Sequence, residues 1–385
     1  MVPKGWLKYS VGELCTSIVP GRNKPKVFDG DIPWVTTPEI NGRYIPSKLQ
    51  VNYVSTTALS DAGGKIVPQG AVVMAAVGEL GLIAITSEPV VLNQQLHAFV
   101  CSKLVNNEYL AYWLTTQKPY MESIASKTTI PYMNKTNCES IPVLLPPLAE
   151  QFKIAQILLT WDNAISVTEK LLANSQQQKK ALMQQLLTGK KRLLDERGVR
   201  YGGEWHRAEL GAVLDYMQPT PYLVDSTDYN DSYSIPVLTA GKSFILGYTN
   251  EEHGIYHAPL PAIIFDDFTT DSKFVDFEFK AKSSAMKILT AKKGVSAKYI
   301  FEAMQMLKFK IGGHQRHWIS IYSNLVIPIP DAKEQQKIAA VLSAADAEIS
   351  TLEKKLACLK DEKKALMQQL LTGKRRVKVD EAVAE

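Results

Sequence analysis

Residues 179–190 read KKALMQQLLTGK, and residues 363–374 read KKALMQQLLTGK again, letter for letter. Upstream of each copy the match continues without a gap, at a constant offset of 184. Glu150-Gln151, Lys153-Ile154-Ala155, Leu158, Asp162, Ile165-Ser166, Glu169-Lys170 and Leu172-Ala173 return as Glu334-Gln335, Lys337-Ile338-Ala339, Leu342, Asp346, Ile349-Ser350, Glu353-Lys354 and Leu356-Ala357. Two long units make a duplicated domain pair; a solenoid needs more, and shorter, repeats.

Each copy has the period of a long helix. Ile154, Leu158, Trp161, Ile165, Thr168, Leu172, Ser175, Lys179, Leu182 and Leu186 step alternately by four and three. The same steps give Ile338, Leu342, Ala345, Ile349, Leu352, Leu356, Leu359, Lys363, Leu366 and Leu370. Such a heptad seam predicts a coiled-coil pair, with each helix as the partner of the other. Prolines precede both stretches, Gly189 and Gly373 follow the last seam leucines, and basic clusters at 190–192 and 374–376 suit helix C-termini. About forty residues at 1.5 Å rise make a rod of roughly 60 Å.

The identity extends beyond what packing requires. Lys180, Gln184, Gln185 and Thr188 lie off the seam, yet recur as Lys364, Gln368, Gln369 and Thr372. The segments between the helices share far less. Rods kept alike while globular parts diverge predict identical partners on the rods, bound through these eight positions, and different targets for the globular parts.

The chain has 385 residues, room for two or three domains, and its 45% hydrophobic content is enough for globular cores. No apolar run reaches the length of a membrane span, and the first ten residues lack a signal-peptide core. Cys15, Cys101, Cys138 and Cys358 are isolated, with neither zinc spacing nor a disulfide framework, so a reducing cytoplasm is the expected location and no metal or cofactor is expected. A net charge of +5 is compatible with nucleic acid without requiring it.

Both globular segments open alike, with Gly5-Trp6 matched by Gly203-Glu204-Trp205 and Ile32-Pro33-Trp34-Val35-Thr36 by Ile235-Pro236-Val237-Leu238-Thr239. Both close on an apolar, proline-edged strand at 141–146 and 325–330. Between these lie short β-branched and aromatic runs at 71–74, 82–86, 90–92, 262–265 and 274–279, with helical stretches at 108–116 and 297–308. The expected fold is α+β: two β-rich domains at 1–147 and 193–331, each followed by a long helix, at 148–192 and 332–376, with a tail at 377–385.

This order of elements resembles the DNA-sequence specificity subunit of Type I restriction-modification enzymes. The likeness covers essentially the whole chain and rests most on Pro146-Pro147-Leu148-Ala149-Glu150-Gln151, Leu186-Leu187-Thr188-Gly189 and their second copies; the second copy departs in having Pro330-Asp331 for the proline pair. Residues 70–93 and 313–320 are similar to stretches of such recognition domains. The resemblance implies a non-catalytic subunit in which two long antiparallel helices set the two recognition domains apart about a pseudo-two-fold axis. Each domain would read one half of a split, asymmetric duplex site, and the helices would set the gap. It also implies two methyltransferase subunits docked on the repeated helices and two motor-nuclease subunits joining for restriction.

The motifs of those chemistries are missing here. Pro146-Pro147 is flanked by leucines rather than by the Asn/Asp and aromatic residue that hold a flipped base, and no GxxxxGK[ST] phosphate loop occurs. Asp267, with Glu278 and Lys280 on a following run, has the loose pattern of a nuclease metal site, so a metal-dependent nuclease is an alternative, as is a coiled-coil scaffold. The candidate DNA contacts are polar residues in glycine- and proline-rich loops. In the first domain they are Arg22, Lys24, Lys26, Thr36, Thr37, Arg43, Lys127, Thr128, Thr129, Asn134 and Lys135; in the second, Lys242, Ser243, Lys273, His314, Gln315, Arg316 and His317. Lysines would grip phosphates, whereas Arg, Asn, Gln and Thr have the donors and acceptors to read base edges.

Overall fold

The computed structural model describes residues 2–21, 23–46, 50–239, 243–307 and 317–379. The two repeats form continuous helices of 39 residues each, a central one at Leu148–Leu186 and a terminal one at Ala332–Leu370. Every seam position named above is buried or half-buried. Each helix ends in a left-handed glycine, Gly189 at φ 72° and Gly373 at φ 69°. Beyond the glycine, Lys191 N–H and Arg375 N–H return to the carbonyls of Gln185 and Gln369, satisfying acceptors the helix leaves open.

By internal contacts the chain divides into two units. One comprises Met1–Val167 with Leu356–Glu385, the other Thr168–Lys355. Each unit thus joins a globular segment to the first half of one helix or the second half of it, and to the opposite half of the other. In the first unit Glu150 pairs with Arg376 and Asp162 with Lys363; in the second Lys179 pairs with Asp346 and Arg192 with Glu334. Partner numbers fall as the first numbers rise, so the helices run antiparallel within each unit.

In the first unit, Leu7–Ser10 pairs antiparallel with the closing strand Pro142–Leu145. A five-stranded sheet has the order Cys15–Ile18, Leu96–Cys101, Val72–Ala75, Ile83–Thr86, Tyr44–Ile45. A four-stranded sheet follows the order Tyr53–Val54, Ile32–Val35, Val90–Leu92, Ile66–Val67. The helix Asn107–Thr116, capped by the Asn106 side chain, buries Tyr109, Leu110, Tyr112 and Leu114 in one cluster with Ile154, Leu158 and Leu370 of the long helices and Leu371 just beyond. Burying whole aliphatic and aromatic side chains contributes about 2 kcal/mol each, which makes this cluster the main attachment of domain to helix.

The second unit repeats the plan. His206–Glu209 pairs with Val326–Ile329, and a four-stranded sheet runs Leu214–Met217, Met286–Ala291, Ala262–Asp266, Ser272–Val275. A three-stranded sheet runs Ile245–Thr249, Ile235–Leu238, Lys280–Ala281. Helix Ala297–Gln305, capped by Ser296, buries Tyr299 and Ile300 against Leu186, Ile338 and Leu342. One expectation needs correction. The run 274–279 is not a single strand, because the chain leaves the ladder after Val275 and a separate strand begins only at Lys280. Asp276 interrupts the β-branched and aromatic pattern there.

Candidate nucleic-acid interface

Ahead of each closing strand, a loop bonds to a hairpin turn of the main sheet. In the first unit, Gly78 N–H donates to Pro131 O (2.9 Å) and Met133 N–H to Ala76 O (2.8 Å), with a bridge between Val77 and Tyr132. This pins loop 126–134 across turn 76–82 and leaves Lys127, Thr128 and Thr129 exposed beside the exposed Ile130 and Tyr132. In the second unit the turn after Ala262–Asp266 is held the same way. His317 N–H donates to Asp267 O (3.0 Å) and Trp318 N–H to the Asp267 carboxylate (2.9 Å). Phe268 stands exposed on that turn, and Lys273 is exposed on the strand leaving it.

A second group of candidates gathers at another place. Lys24 and Lys26 line a cavity of about 740 Å³ with Asn23, Asp29, Ser55 and Asp61. Lys24 also lies 5.5 Å over the Phe28 ring. Two carboxylates share this cavity with the two lysines, so its charge is mixed. Ser243 is exposed. Arg22, Lys242, His314, Gln315 and Arg316 lie outside the described residues.

Other candidates have structural duties. Thr36 caps a short helical turn, its N–H and hydroxyl both donating to Glu39. Thr37 is buried and donates to Gln95 (3.1 Å), away from solvent where a base edge would have to come. Arg43 donates to the Glu108 carboxylate (2.6 Å) and lies 3.5 Å over the Tyr112 ring, contacts that account for it without a ligand. Burial, followed by the Glu108 hydrogen bond, pushes the neighbouring Tyr44 hydroxyl up to about 12. Asn134 accepts from Asn137 N–H as the cap of Lys135–Glu139, and Lys135 faces Glu139 at 3.5 Å. His317 is 1% exposed with Nδ1 2.9 Å from Asp267 O, so it anchors the turn instead of projecting from it.

Asp267, Glu278 and Lys280 do not converge. The Asp267 carboxylate is buried under Trp318, Glu278 is half-exposed beside His257 (2.8 Å), and Lys280 is fully buried against Glu251 (2.7 Å) and His253 O (2.7 Å). Asp225, Glu251 and His253 do bring ligand atoms within 4.8 Å of one another, but the Lys280 ammonium already occupies the face of Glu251. Burial raises the Glu251 pKa, but the hydrogen bond and charge of Lys280 together with the Ser226 and Asp225 N–H groups hold the carboxyl below its usual range.

The repeated residues separate into two classes. Glu150 and Gln151 are buried, as are Glu334 and Gln335. Trp6 Nε1–H donates to Glu150 (3.1 Å), which Arg376 grips through two N–H groups (2.7 and 2.8 Å); Trp205 donates to Glu334 (2.9 Å), gripped likewise by Arg192 (2.6 and 2.7 Å). The side-chain amide of Gln151 accepts from Asn106 N–H and donates to Pro146 O, and that of Gln335 accepts from Ser296 N–H and donates to Pro330 O. These pairs tie each helix to its domain, a role that sequence spacing alone did not disclose. By contrast Lys180, Gln184, Gln185, Thr188, Lys364, Gln368, Gln369 and Thr372 are all exposed, and the two threonine hydroxyls bond back to the carbonyls of Gln184 and Gln368.

Residues 3–174 and 203–360 match the model of the Type I restriction modification DNA specificity domain. Over 145 residues the chain is 54% identical to the specificity subunit of the type I restriction enzymes EcoR124I/EcoR124II of Escherichia coli, a match covering 36% of this chain and 35% of that one. It is 26% identical over 318 residues to the MjaVIII specificity subunit of Methanocaldococcus jannaschii, covering 72% of each. The fold superposes on the crystal structure of a Type-I restriction-modification S subunit from M. genitalium with a TM-score of 0.68 at 13% identity, over 95% of this chain and 96% of that one. No helix among the described residues is long and apolar enough to cross a membrane.

Proposed function

Because the chain belongs to the family of Type I restriction-modification DNA specificity proteins, we propose that it is the sequence-reading subunit of such a system. In this reading it performs no chemistry itself and works in the cytoplasm. Each globular domain reads one half of a split, asymmetric duplex site, and the two 39-residue helices, each about 58 Å long at 1.5 Å per residue, set the gap. Half-site spacing then follows from protein geometry. Two modification subunits dock on the repeated helix surfaces, and two restriction subunits complete the assembly.

One observation carries the reading. Four exposed positions in one repeat recur unchanged in the other although no packing demands it, while the surfaces of the two domains differ. Like surfaces suit like protein partners; unlike domains suit unlike half-sites. Lys127, Thr128 and Thr129 in the first domain and Lys273 in the second are the described residues best placed to meet DNA.

The test is to express the chain with its modification subunits in a methylation-free host and map modified adenines. The expected pattern is two short defined blocks separated by a fixed unspecified gap, absent when either component is left out. A single continuous block would overturn the split-site reading. Modification or cleavage by this chain alone would overturn the non-catalytic one.

A further inference from the structure

All four cysteines, Cys15, Cys101, Cys138 and Cys358, fall in the first unit and are free thiols. Two of them are direct partners across an antiparallel ladder. Cys15 opens the edge strand Cys15–Ile18, Cys101 ends Leu96–Cys101, and the register pairs them. The next pair outward, Leu14 and Ser102, carries the hydrogen bond from Ser102 N–H to Leu14 O. Bonded and non-bonded pairs alternate along such a ladder, so Cys15 and Cys101 occupy a non-bonded pair, where the Cα atoms are about 4.5 Å apart and side chains stand closest. That separation is inside the range a disulfide spans. The sulfurs lie 3.9 Å apart.

The geometry points to Cys15 and Cys101 as a site of reversible oxidative cross-linking, closed by a small disulfide or an equivalent two-electron thiol oxidant. The order of steps follows from access. Cys15 is 8% exposed, whereas Cys101 is half-exposed. The adjoining Cys101 sulfur, and then burial, push the Cys15 thiol well above its ordinary range, so it waits protonated. With oxidised glutathione, the Cys101 thiolate attacks one sulfur of the reagent and expels a glutathione thiolate. Cys15, on losing its proton, then displaces the second glutathione from Cys101. Two protein thiols have been oxidised and one reagent disulfide reduced to two thiols. Both cysteines sit at ladder ends, where side-chain rotation can close the gap without breaking an internal pair. Cys138 is fully buried, and exposed Cys358 contacts only Glu362 (3.2 Å) among the described residues, so neither competes within the fold.

The experiment uses full-length Cys358→Ser protein, so that the exposed thiol cannot link two chains. It is treated natively with oxidised glutathione or diamide, then denatured, alkylated and mapped without reduction. The expected result is a fall from three alkylatable thiols to one, a linked peptide pair containing Cys15 and Cys101, and a thermal midpoint raised by several degrees and restored by dithiothreitol. In a Cys15→Ser variant, Cys101 should instead hold glutathione as a stable mixed disulfide. Three unmodified thiols, a bond to Cys138, or glutathione left on Cys101 while Cys15 remains available would each overturn the proposal. None of these outcomes depends on DNA recognition.

Discussion

Asp162 and Asp346 hold the same place in the two repeats, as do Lys363 and Lys179, yet the domains surround these pairs with different chemistry. In the first unit the Asp162–Lys363 pair meets an aromatic. Tyr112 O–H donates to Asp162, Lys363 lies 5.2 Å over the Tyr112 ring, and Arg43 covers the ring at 3.5 Å. In the second unit the corresponding pair meets further charges. Lys179 reaches Asp346 (2.6 Å) and Glu302 (3.1 Å), while Lys298 reaches the same two carboxylates (2.8 Å each). The lesson is that a duplicated helix can stay constant while its mounting diverges, provided each domain satisfies the same half-buried donor and acceptor. A hydroxyl and a π face do so on one side, a second ion pair on the other.

The largest test of that contrast is Glu302→Ala. Glu302 is fully buried between two lysines, and removing one partner of a buried ion network typically costs about 3 kcal/mol. Hydrogen exchange should show the loss in the second unit, with the first little changed; equal loosening of both would break the idea of independent mountings.

Gly373→Ala should come next. Both C-terminal glycines are left-handed, but a Cβ on Gly373 would lie 2.4 Å from Pro3 Cγ, whereas on Gly189 its nearest neighbour is Trp205 at 3.6 Å. Left-handed backbone alone costs alanine about 1 kcal/mol, and the clash should bring Gly373→Ala to about 2 kcal/mol in denaturant titration. A larger loss from Gly189→Ala would contradict the packing.

Tyr112→Phe removes one hydrogen bond to Asp162 while Lys363 remains, for a loss of about 1 kcal/mol in the first unit only. The smallest effect is one that acid removes. Burial raises the Asp346 pKa, but hydrogen bonds from Lys179 and Lys298 outweigh it and leave the carboxyl below its ordinary value. A depressed native pKa contributes stability above the unfolded value near pH 4 and loses it as pH falls through the native one. The stability gap between wild type and Asp346→Asn should therefore be full at neutral pH and close below about pH 4. A gap that widens on acidification would reverse the assignment.

Much of the frame was legible in one dimension. The heptad spacing named seam residues that are all buried or half-buried, and the glycines marked both helix ends. Runs of β-branched residues located Val90–Leu92 and Ala262–Asp266 to within a residue. Side-chain duties were much less legible. Arg43, Thr37 and His317 looked like free polar residues in loops, but each found an internal partner from 50 or more positions away. Asp267, one of three residues of an apparent metal motif, proved to be the buried acceptor that holds a turn.

The sequence by itself determined the duplication, the heptad-patterned rods and the alternation of β-rich segments with helices, because periodicity and capping are local and repeat identity is directly visible. Only the tertiary structure decided which repeated residues face inward to clamp a domain and which face outward. Glu150 and Lys180 are equally repeated, yet one is buried against Trp6 and Arg376 and the other is exposed. That division depends on neighbours brought together from distant parts of the chain, and no spacing rule along a single strand of letters encodes them.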